Sequence, residues 1–446
     1  MRGSVKARVI TQYRRVQVYL ENTLWVISEK LFQMGLSVLV IILLARYLGP
    51  EQFGILSYGL SVISIFAMAG HVGLSGLVVR ELVKNPDRQE EVLGTSIVLK
   101  GIGYFIGFLL LLVFAFISEP EYSIGFWVLI ILSFSILFRP IDVIDFWFQS
   151  RLEAKFTAIS KMIALLVSSL LTIALVFSEV ELVLFTLPIV IQSILTAILL
   201  LVFYKYKSVI GGGKWCFSST KAKELIKQGV LVFLGSIFAV VYLKVDQVML
   251  KWMVGVEEVG IYSVASTLSE AWYFLPVAIV SSLFPKLINL RESNPLMYKA
   301  RLQQIFDLLF LIAMVIATIV SFVADPLIEY LFGKAFHDSG EVLVIHIWAA
   351  VFIFMRAAFS KWILIENVLI FSLITQGLGA MSNIILNWFF IPTYGAVGAA
   401  YATLISYAVS SYLALIFYSR TREVFVMMSL AILSPLRYLT VVRKLG

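Results

Sequence analysis

Apolar residues in this chain neither alternate with polar ones nor recur at every third or fourth position. They come in runs of about twenty, the length that carries a helix across the ~30 Å hydrocarbon core of a bilayer. Twelve such runs are legible, at about 23–45, 54–78, 92–117, 125–147, 159–178, 182–204, 229–251, 260–284, 305–325, 342–361, 368–390 and 396–418. Polar residues gather in short stretches between them. The pattern predicts an all-α polytopic membrane protein of 12 transmembrane helices, each pairing its backbone groups internally. The first run, from about Trp25 to Ala45, is longer than the apolar region of a signal peptide and ends at no small-residue cleavage site. It reads as a retained first helix.

Composition agrees. The chain has 446 residues, 61% of them hydrophobic and 14% charged, with a mean hydropathy of +0.97. A soluble domain carries about 25% charged residues, so these charges are too few to clothe a water-soluble surface, and a soluble multidomain enzyme is excluded. A transmembrane barrel would alternate polar and apolar positions and be far less hydrophobic. The single cysteine, Cys216, forms no internal disulfide, and His71, His337 and His346 share no metal-ligand spacing. No Walker A, dinucleotide-binding or HExxH motif occurs. Neither a catalytic residue, a bound metal nor a cofactor is expected, beyond a coupling H+ or Na+.

The net charge of +8 does not point to nucleic acid, because the basic residues sort by side. Twenty-seven of the 35 Lys and Arg fall in the N-terminal tail, in alternate loops or in the C-terminal tail; Arg46, Lys251 and Lys334 alone fall in the opposite loops. This positive-inside asymmetry predicts cytoplasmic termini and an even number of spans. The expected organisation is a basic cytoplasmic tail (1–21), a six-helix lobe (22–204), a cytoplasmic inter-lobe linker (205–228), a second six-helix lobe (229–418) and a second basic cytoplasmic tail (419–446). Gly211–Gly213 and six lysines make the linker read as mobile. Val424–Leu433, in the last tail, reads as an interfacial amphipathic segment.

An internal repeat divides the chain at the same place. Leu48–Ser57 aligns with Val254–Ser263 at a constant offset of 206, with identities at Gly49/Gly255, Glu51/Glu257, Gly54/Gly260, Ile55/Ile261 and Ser57/Ser263. Each copy sits at the outer turn between the first two helices of its half. Six helices per half make the repeat parallel, and two such lobes around a central cleft suit alternating access.

The same motif carries a family resemblance. Ala45–Tyr58 (ARYLGPEQFGILSY), Val78–Leu82 after Gly73 and Leu74, Asp246–Leu250, Val259–Ala265, Pro285–Leu287 and Asn387–Pro392 with Gly395–Ala400 together resemble the polysaccharide transporter family of the multidrug/oligosaccharidyl-lipid/polysaccharide (MOP) superfamily, in its Wzx-type O-antigen flippase branch. The likeness runs from about residue 20 to 418. It implies a flippase of the bacterial inner membrane that moves undecaprenyl-pyrophosphate-linked oligosaccharide outward. Membrane lipids and polysaccharide assembly proteins would be its partners, and nucleic acid would not. The rival readings are a cation-coupled drug antiporter of the same superfamily and a membrane polysaccharide polymerase or glycosyltransferase. The short outer loops leave the last no room for a catalytic domain.

Ionisable residues inside a membrane span are expensive and mark function by default. Five basic ones remain inside the spans: Lys30, Lys100, Arg139, Lys244 and Arg356. A cationic cleft would attract a pyrophosphate, with Arg forking it and Lys acting as a point charge. Asn22, Glu29, Lys30, Gln33 and Ser37 share one arc of the first helix, and Ser236, Lys244, Gln247 and Lys251 one arc of the seventh. Lys30, Lys100, Arg139, Lys244, Arg356, Gln33 and Gln247 are therefore the candidate substrate-binding residues. Glu29, Asp142, Asp145, Asp246 and Glu270 are the candidates for ion coupling. Arg139 and Asp142 are also spaced to pair within their helix. Gly70, Pro188 and Pro276 read as mid-span hinges, Gly70 aligning with Pro276 under the repeat offset.

Overall fold

The computed structural model describes residues 2–208 and 214–437. Gly211–Gly213 of the linker, Arg443 and Lys444 of the last tail, and the side chains of the basic residues in 2–15 lie outside that description. Among the described residues all regular structure is helical: α1 (Arg2–Ala67), α2 (Ser75–Lys84), α3 (Gln89–Ser118), α4 (Ile124–Ser133), α5 (Val143–Ser150), α6 (Ala154–Phe177), α7 (Leu187–Ser208), α8 (Ser219–Met253), α9 (Val256–Glu270), α10 (Phe274–Ser293), α11 (Pro295–Phe332), α12 (Ser339–His346), α13 (Ala349–Ile365), α14 (Leu369–Ser411) and α15 (Arg422–Ile432), with short 3-10 turns between some of them.

Ten helical runs are long and apolar enough to cross a membrane. Two of these, Glu21–Lys84 and Ile370–Ile416, have 64 and 47 residues. As straight helices they would measure roughly 96 and 70 Å, two to three times a ~30 Å hydrocarbon core. Each is interrupted at one glycine, Gly49 (φ 70°) or Gly395 (φ 53°). A side chain there would clash with its own backbone, so glycine is what lets the chain turn.

The helix breaks have local causes. The run 125–147 is not one α-helix: Phe134–Asp142 is a 3-10 stretch with Pro140 inside it. Proline lacks an N–H and disfavours α geometry at the preceding Arg139. At Gly70, α1 has ended and a 3-10 turn, Met68–Gly70, leads toward α2. At the equivalent place in the second repeat, α9 ends at Glu270 and α10 starts at Phe274, with Pro276 in its first turn. Pro188 departs from its expected mid-span place. It is the second residue of α7, where a missing N–H breaks no helical bond, so it starts a helix and does not interrupt one.

The chain divides into two compact units. Unit 1 comprises residues up to Tyr47 together with Val62–Ser236; unit 2 comprises Leu48–Ser61 and the chain from Ile237. The core of unit 1 gathers Leu74, Val143, Ile144, Phe148, Leu200 and Leu225. That of unit 2 gathers Phe306, Leu309, Phe354, Phe359 and Met428. Both repeat turns belong to unit 2 and have like backbones, with Gly255 at φ 111° and ψ 175° against φ 70° and ψ 175° at Gly49. Their neighbours approach reciprocally. A Cβ on Gly54 would lie 1.8 Å from the Val256 carbonyl oxygen, and one on Gly260 would lie 2.0 Å from that of Pro50.

Two further expectations are corrected. The linker after Gly213 is held, not mobile. Cys216 N donates to Glu90 O (3.4 Å), Ser218 N to Thr95 Oγ1 (3.0 Å), and Lys221 Nζ to Glu81 Oε2 (2.6 Å). Leu225 is buried in the core of unit 1, so apolar burial and paired charge both fix this segment. In the last tail, α15 does not offer all its apolar residues to a membrane surface: Val424, Met427, Met428 and Ala431 are buried in the core of unit 2, and Val426 and Leu430 are exposed.

Candidate functional site

In unit 1, side chains from α1, α5 and α6 surround a cavity of about 400 Å³. Asn22, Glu29 and Lys30 reach it from the predicted polar arc of α1, Asp145 and Gln149 from successive turns of α5, and Thr157 and Lys161 from α6. Lys161 Nζ donates to Asp145 Oδ2 (2.9 Å) and Gln149 Nε2 to Asp145 Oδ1 (3.1 Å). Ala154 N donates to Asn22 Oδ1 (2.8 Å), tying α6 to α1. Glu29 is buried, and its Oε1 accepts no hydrogen bond; the Lys30 ammonium, 59% exposed, stands 3.6 Å away.

Lys100 of α3 lies deeper, 4% exposed. Its Nζ sits 4.8 Å from the Phe146 ring centroid and 5.6 Å from that of Tyr104. Ring faces attract a cation, and among the described residues no carboxylate lies within ion-pair distance of Lys100. Arg139, Asp142, Asp145 and Lys161 act on Lys100 electrostatically, and His71 feels Lys100 and Arg139. Arg139 and Asp142 form no ion pair with each other among the described residues. Gln33 is exposed and does not line the cavity.

Unit 2 holds a different arrangement. Asp246 is 1% exposed. Its Oδ2 accepts from Tyr262 Oη and Thr403 Oγ1, both at 2.7 Å, and its Oδ1 from Asn387 Nδ2 at 2.5 Å. Asn387 Nδ2 also donates to Asn383 Oδ1 at 3.2 Å. The carboxylate thus meets neutral donors and, among the described residues, no cation within ion-pair distance. Gln247 is buried and accepts from Ser61 Oγ. Lys244 Nζ stands 4.0 Å from Glu270 Oε2, at the end of α9, and acts electrostatically on buried His346. The His346 ring packs edge-on against Tyr262 at 5.7 Å. Arg356 Nη1 donates to Thr375 Oγ1 (3.0 Å) and Ser410 O (3.2 Å), while its Nη2 is buried and accepted by nothing.

The predicted residues therefore gather into two clusters, one per unit, with Gln33 outside both. The sequence reading missed Lys161, which it placed in a loop, and the Asp246 partners Tyr262, Asn383, Asn387 and Thr403. Two asparagines four apart in an apolar run were the available signal, since they fall on one helix face. The unit 1 cluster is a mixed set of two carboxylates and two ammonium groups on the wall of one cavity. The unit 2 cluster is a compact set of two hydroxyl donors and one amide donor around a carboxylate.

A profile of the polysaccharide biosynthesis protein family matches residues 19–290, more than half of the chain. The probable flippase AglR of Haloferax volcanii is 30% identical over 179 residues, which span 39% of this chain and 37% of that protein. The putative O-antigen transporter of Shigella flexneri is 24% identical over 338 residues, 71% of this chain and 77% of that one. Among solved structures, the lipid II flippase MurJ in an inward closed conformation matches with TM-score 0.69 and 16% identity over 94% of this chain and 93% of its own. An inward-facing MATE family multidrug resistance transporter of the MOP superfamily matches with TM-score 0.61 and 16% identity, over 89% and 95% of the two chains. At these identities the solved structures share the fold. The two curated relatives are named as a flippase and a transporter, not as enzymes. On the family profile, the chain belongs to the polysaccharide biosynthesis protein family, and it shares its fold with the solved flippase and multidrug transporter structures.

Proposed function

We propose that this transporter is a flippase that carries undecaprenyl-pyrophosphate-linked oligosaccharide from the cytoplasmic to the outer leaflet of the bacterial inner membrane. The breaks at Gly49 and Gly395, read as outer turns between paired spans, give twelve crossings with both termini cytoplasmic. The lobes 22–204 and 229–418 then alternate access to a cleft, with the helix breaks at Gly70 and Pro276 as hinges. The observation that carries the reading is Lys100: a buried ammonium with no carboxylate in ion-pair reach among the described residues, in the same unit as a cavity whose Glu29 and Asp145 are already matched by Lys30 and Lys161. That surplus positive charge suits a pyrophosphate. Arg139 and Arg356 add cations deeper in each unit, and Lys244 and Gln247 continue the polar face of α8. Asp246 is the site where a coupling H+ or Na+ would act, because its buried carboxylate is held only by the neutral donors Tyr262, Thr403 and Asn387, so that one added positive charge would change its balance most. The other acids, Glu29, Asp142, Asp145 and Glu270, shape the field around the two clusters.

The test is Lys100→Met in cells that depend on this chain. The expected outcome is lipid-linked oligosaccharide accumulating on the cytoplasmic leaflet at a normal protein level. Unimpaired export by Lys100→Met, and equally by Arg139→Gln and Arg356→Gln, would overturn the phosphate-binding role. A second reading, a cation-coupled drug antiporter, draws on the MATE-like fold and the Asp246 cluster. Efflux of a cationic dye that is lost in Asp246→Asn, with export of the oligosaccharide unaffected, would favour it.

A further inference from the structure

We infer that unit 2 carries a separate binding site for a phosphate ester, where the ends of α10 and α13 meet the starts of α11 and α15. A cavity of about 440 Å³ lies there, and none of its walls belongs to the Asp246 cluster. Its rim carries three cations and two carboxylates. Arg291 forks Glu366, with Nε and Nη2 donating at 2.7 and 3.1 Å, and Lys299 pairs with Glu423 at 2.6 Å. Arg420 is the unmatched cation: it is exposed, lines the cavity and has no ion-pair or hydrogen-bond partner among the described residues.

The floor is apolar, made by buried Leu302, Trp362 and Met427. A ligand that satisfies both parts needs an anionic head for the guanidinium and a carbon skeleton beneath it. A phosphate ester has both, and a guanidinium grips phosphate through paired N–H donors. The wall residues come from the strongly basic loops, the side on which a lipid phosphate would lie at the depth of a span end. The ligand could arrive from the lipid, as a phospholipid headgroup, or from the water, as a soluble phosphate ester; the recognising chemistry is the same. This site is independent of the transport reading above.

The experiment titrates the purified full chain with dioctanoyl phosphatidylglycerol and, in parallel, with glycerol 3-phosphate, following binding by calorimetry. Saturable binding of either probe is expected, weakened about tenfold or more by Arg420→Gln and further by Arg420→Glu. Lys334→Gln, which removes a charge outside the cavity, is expected to leave binding unchanged. Preference for the lipid identifies the membrane as the source, and comparable affinity for glycerol phosphate identifies the aqueous phase. The inference is overturned if neither probe saturates, or if both Arg420 variants bind as tightly as the parent chain. Because the readout is binding and not export, it does not depend on Lys100.

Discussion

In unit 1 the ionisable side chains are several, mixed in sign and open to a cavity; in unit 2 the central one is a single carboxylate enclosed by neutral donors. The difference follows from burial. Lys161 and Asp145 keep partial contact with solvent, with side chains 33% and 13% exposed, so each charge is stabilised by its partner and by water. Asp246 has no water-exposed edge. Ionised, it depends on the three hydrogen bonds from Tyr262, Thr403 and Asn387, because an isolated buried charge is prohibitive. A charge held in that way responds strongly to one added proton or cation, whereas a charge network in contact with water adapts to a passing anion. Under the function proposed above, the two clusters take different tasks, substrate entry in unit 1 and energetic coupling in unit 2.

The sharpest way to break this contrast is Asp246→Ala beside Asp246→Asn. Alanine takes the shared acceptor from the Tyr262 and Thr403 hydroxyls and the Asn387 amide, leaving Asn387 only its bond to Asn383 Oδ1 and the two hydroxyls only each other, at 3.2 Å. Unsatisfied buried donors cost about 1–3 kcal/mol each, partly offset because a buried charge is also removed. A net loss of about 3 kcal/mol is expected, visible as a lowered Tm of the detergent-purified protein, together with loss of export. Asparagine keeps the shape, and Asn387 Oδ1, which has no partner, is free to accept from the new amide after a flip. Asp246→Asn is expected to stay near the parent Tm while export loses its dependence on the ion gradient. Equal damage from both variants would reduce Asp246 to a packing element.

The sequence exposed the charges better than their partners. A lysine or aspartate in an apolar run is conspicuous because it is expensive there, and that rule alone located Lys100, Asp145, Asp246 and Arg356. The polar arc of α1 was legible too, because helical period places Asn22, Glu29 and Lys30 on one face. What stayed hidden was tertiary. Tyr262 and Thr403 reach Asp246 from 16 and 157 residues away, and no local pattern marks a tyrosine or threonine hydroxyl as the partner of a distant carboxylate. Hydropathy also treats a helix as uniform, so the 3-10 stretch Phe134–Asp142, the start of α7 at Pro188 and the anchoring of residues 214–228 left no trace in it. Pro276 stood out as a proline within an apolar run and Gly70 through its alignment with it under the repeat offset; a helix ends close to each, Pro276 itself lying in the first turn of the next helix.

A finer test concerns whether the unit 1 network works as a pair or as separate charges. Asp145→Lys alone places like charge beside Lys161, and Lys161→Asp alone places it beside Asp145. Each is expected to reduce export severalfold, with a stability change of about 1 kcal/mol, since these groups are partly solvated. The double exchange Asp145→Lys with Lys161→Asp restores an ion pair of opposite polarity. Recovery of stability without recovery of export would mean that the cavity needs its ammonium on α6. Recovery of both would mean that only the pairing matters. The coupling between the two sites in a double-mutant cycle on Tm is the quantity that decides.

The smallest effect is expected at Gln33, and it tests where the boundary of the unit 1 cluster lies. Gln33 shares the arc of Glu29 and Lys30, yet it is exposed and contributes nothing to the cavity wall. Four residues beyond Glu29, it stands about one helical turn, ~6 Å, farther along α1. If the arc as a whole served the substrate, Gln33→Leu would impair export as Lys30→Met does. If the cavity is the functional unit, Gln33→Leu changes Tm by less than about 0.5 kcal/mol in equivalent stability and leaves export intact, while Lys30→Met lowers export at unchanged protein level. Normal export by Gln33→Leu beside impaired export by Lys30→Met is the outcome most specific to the cavity-based boundary.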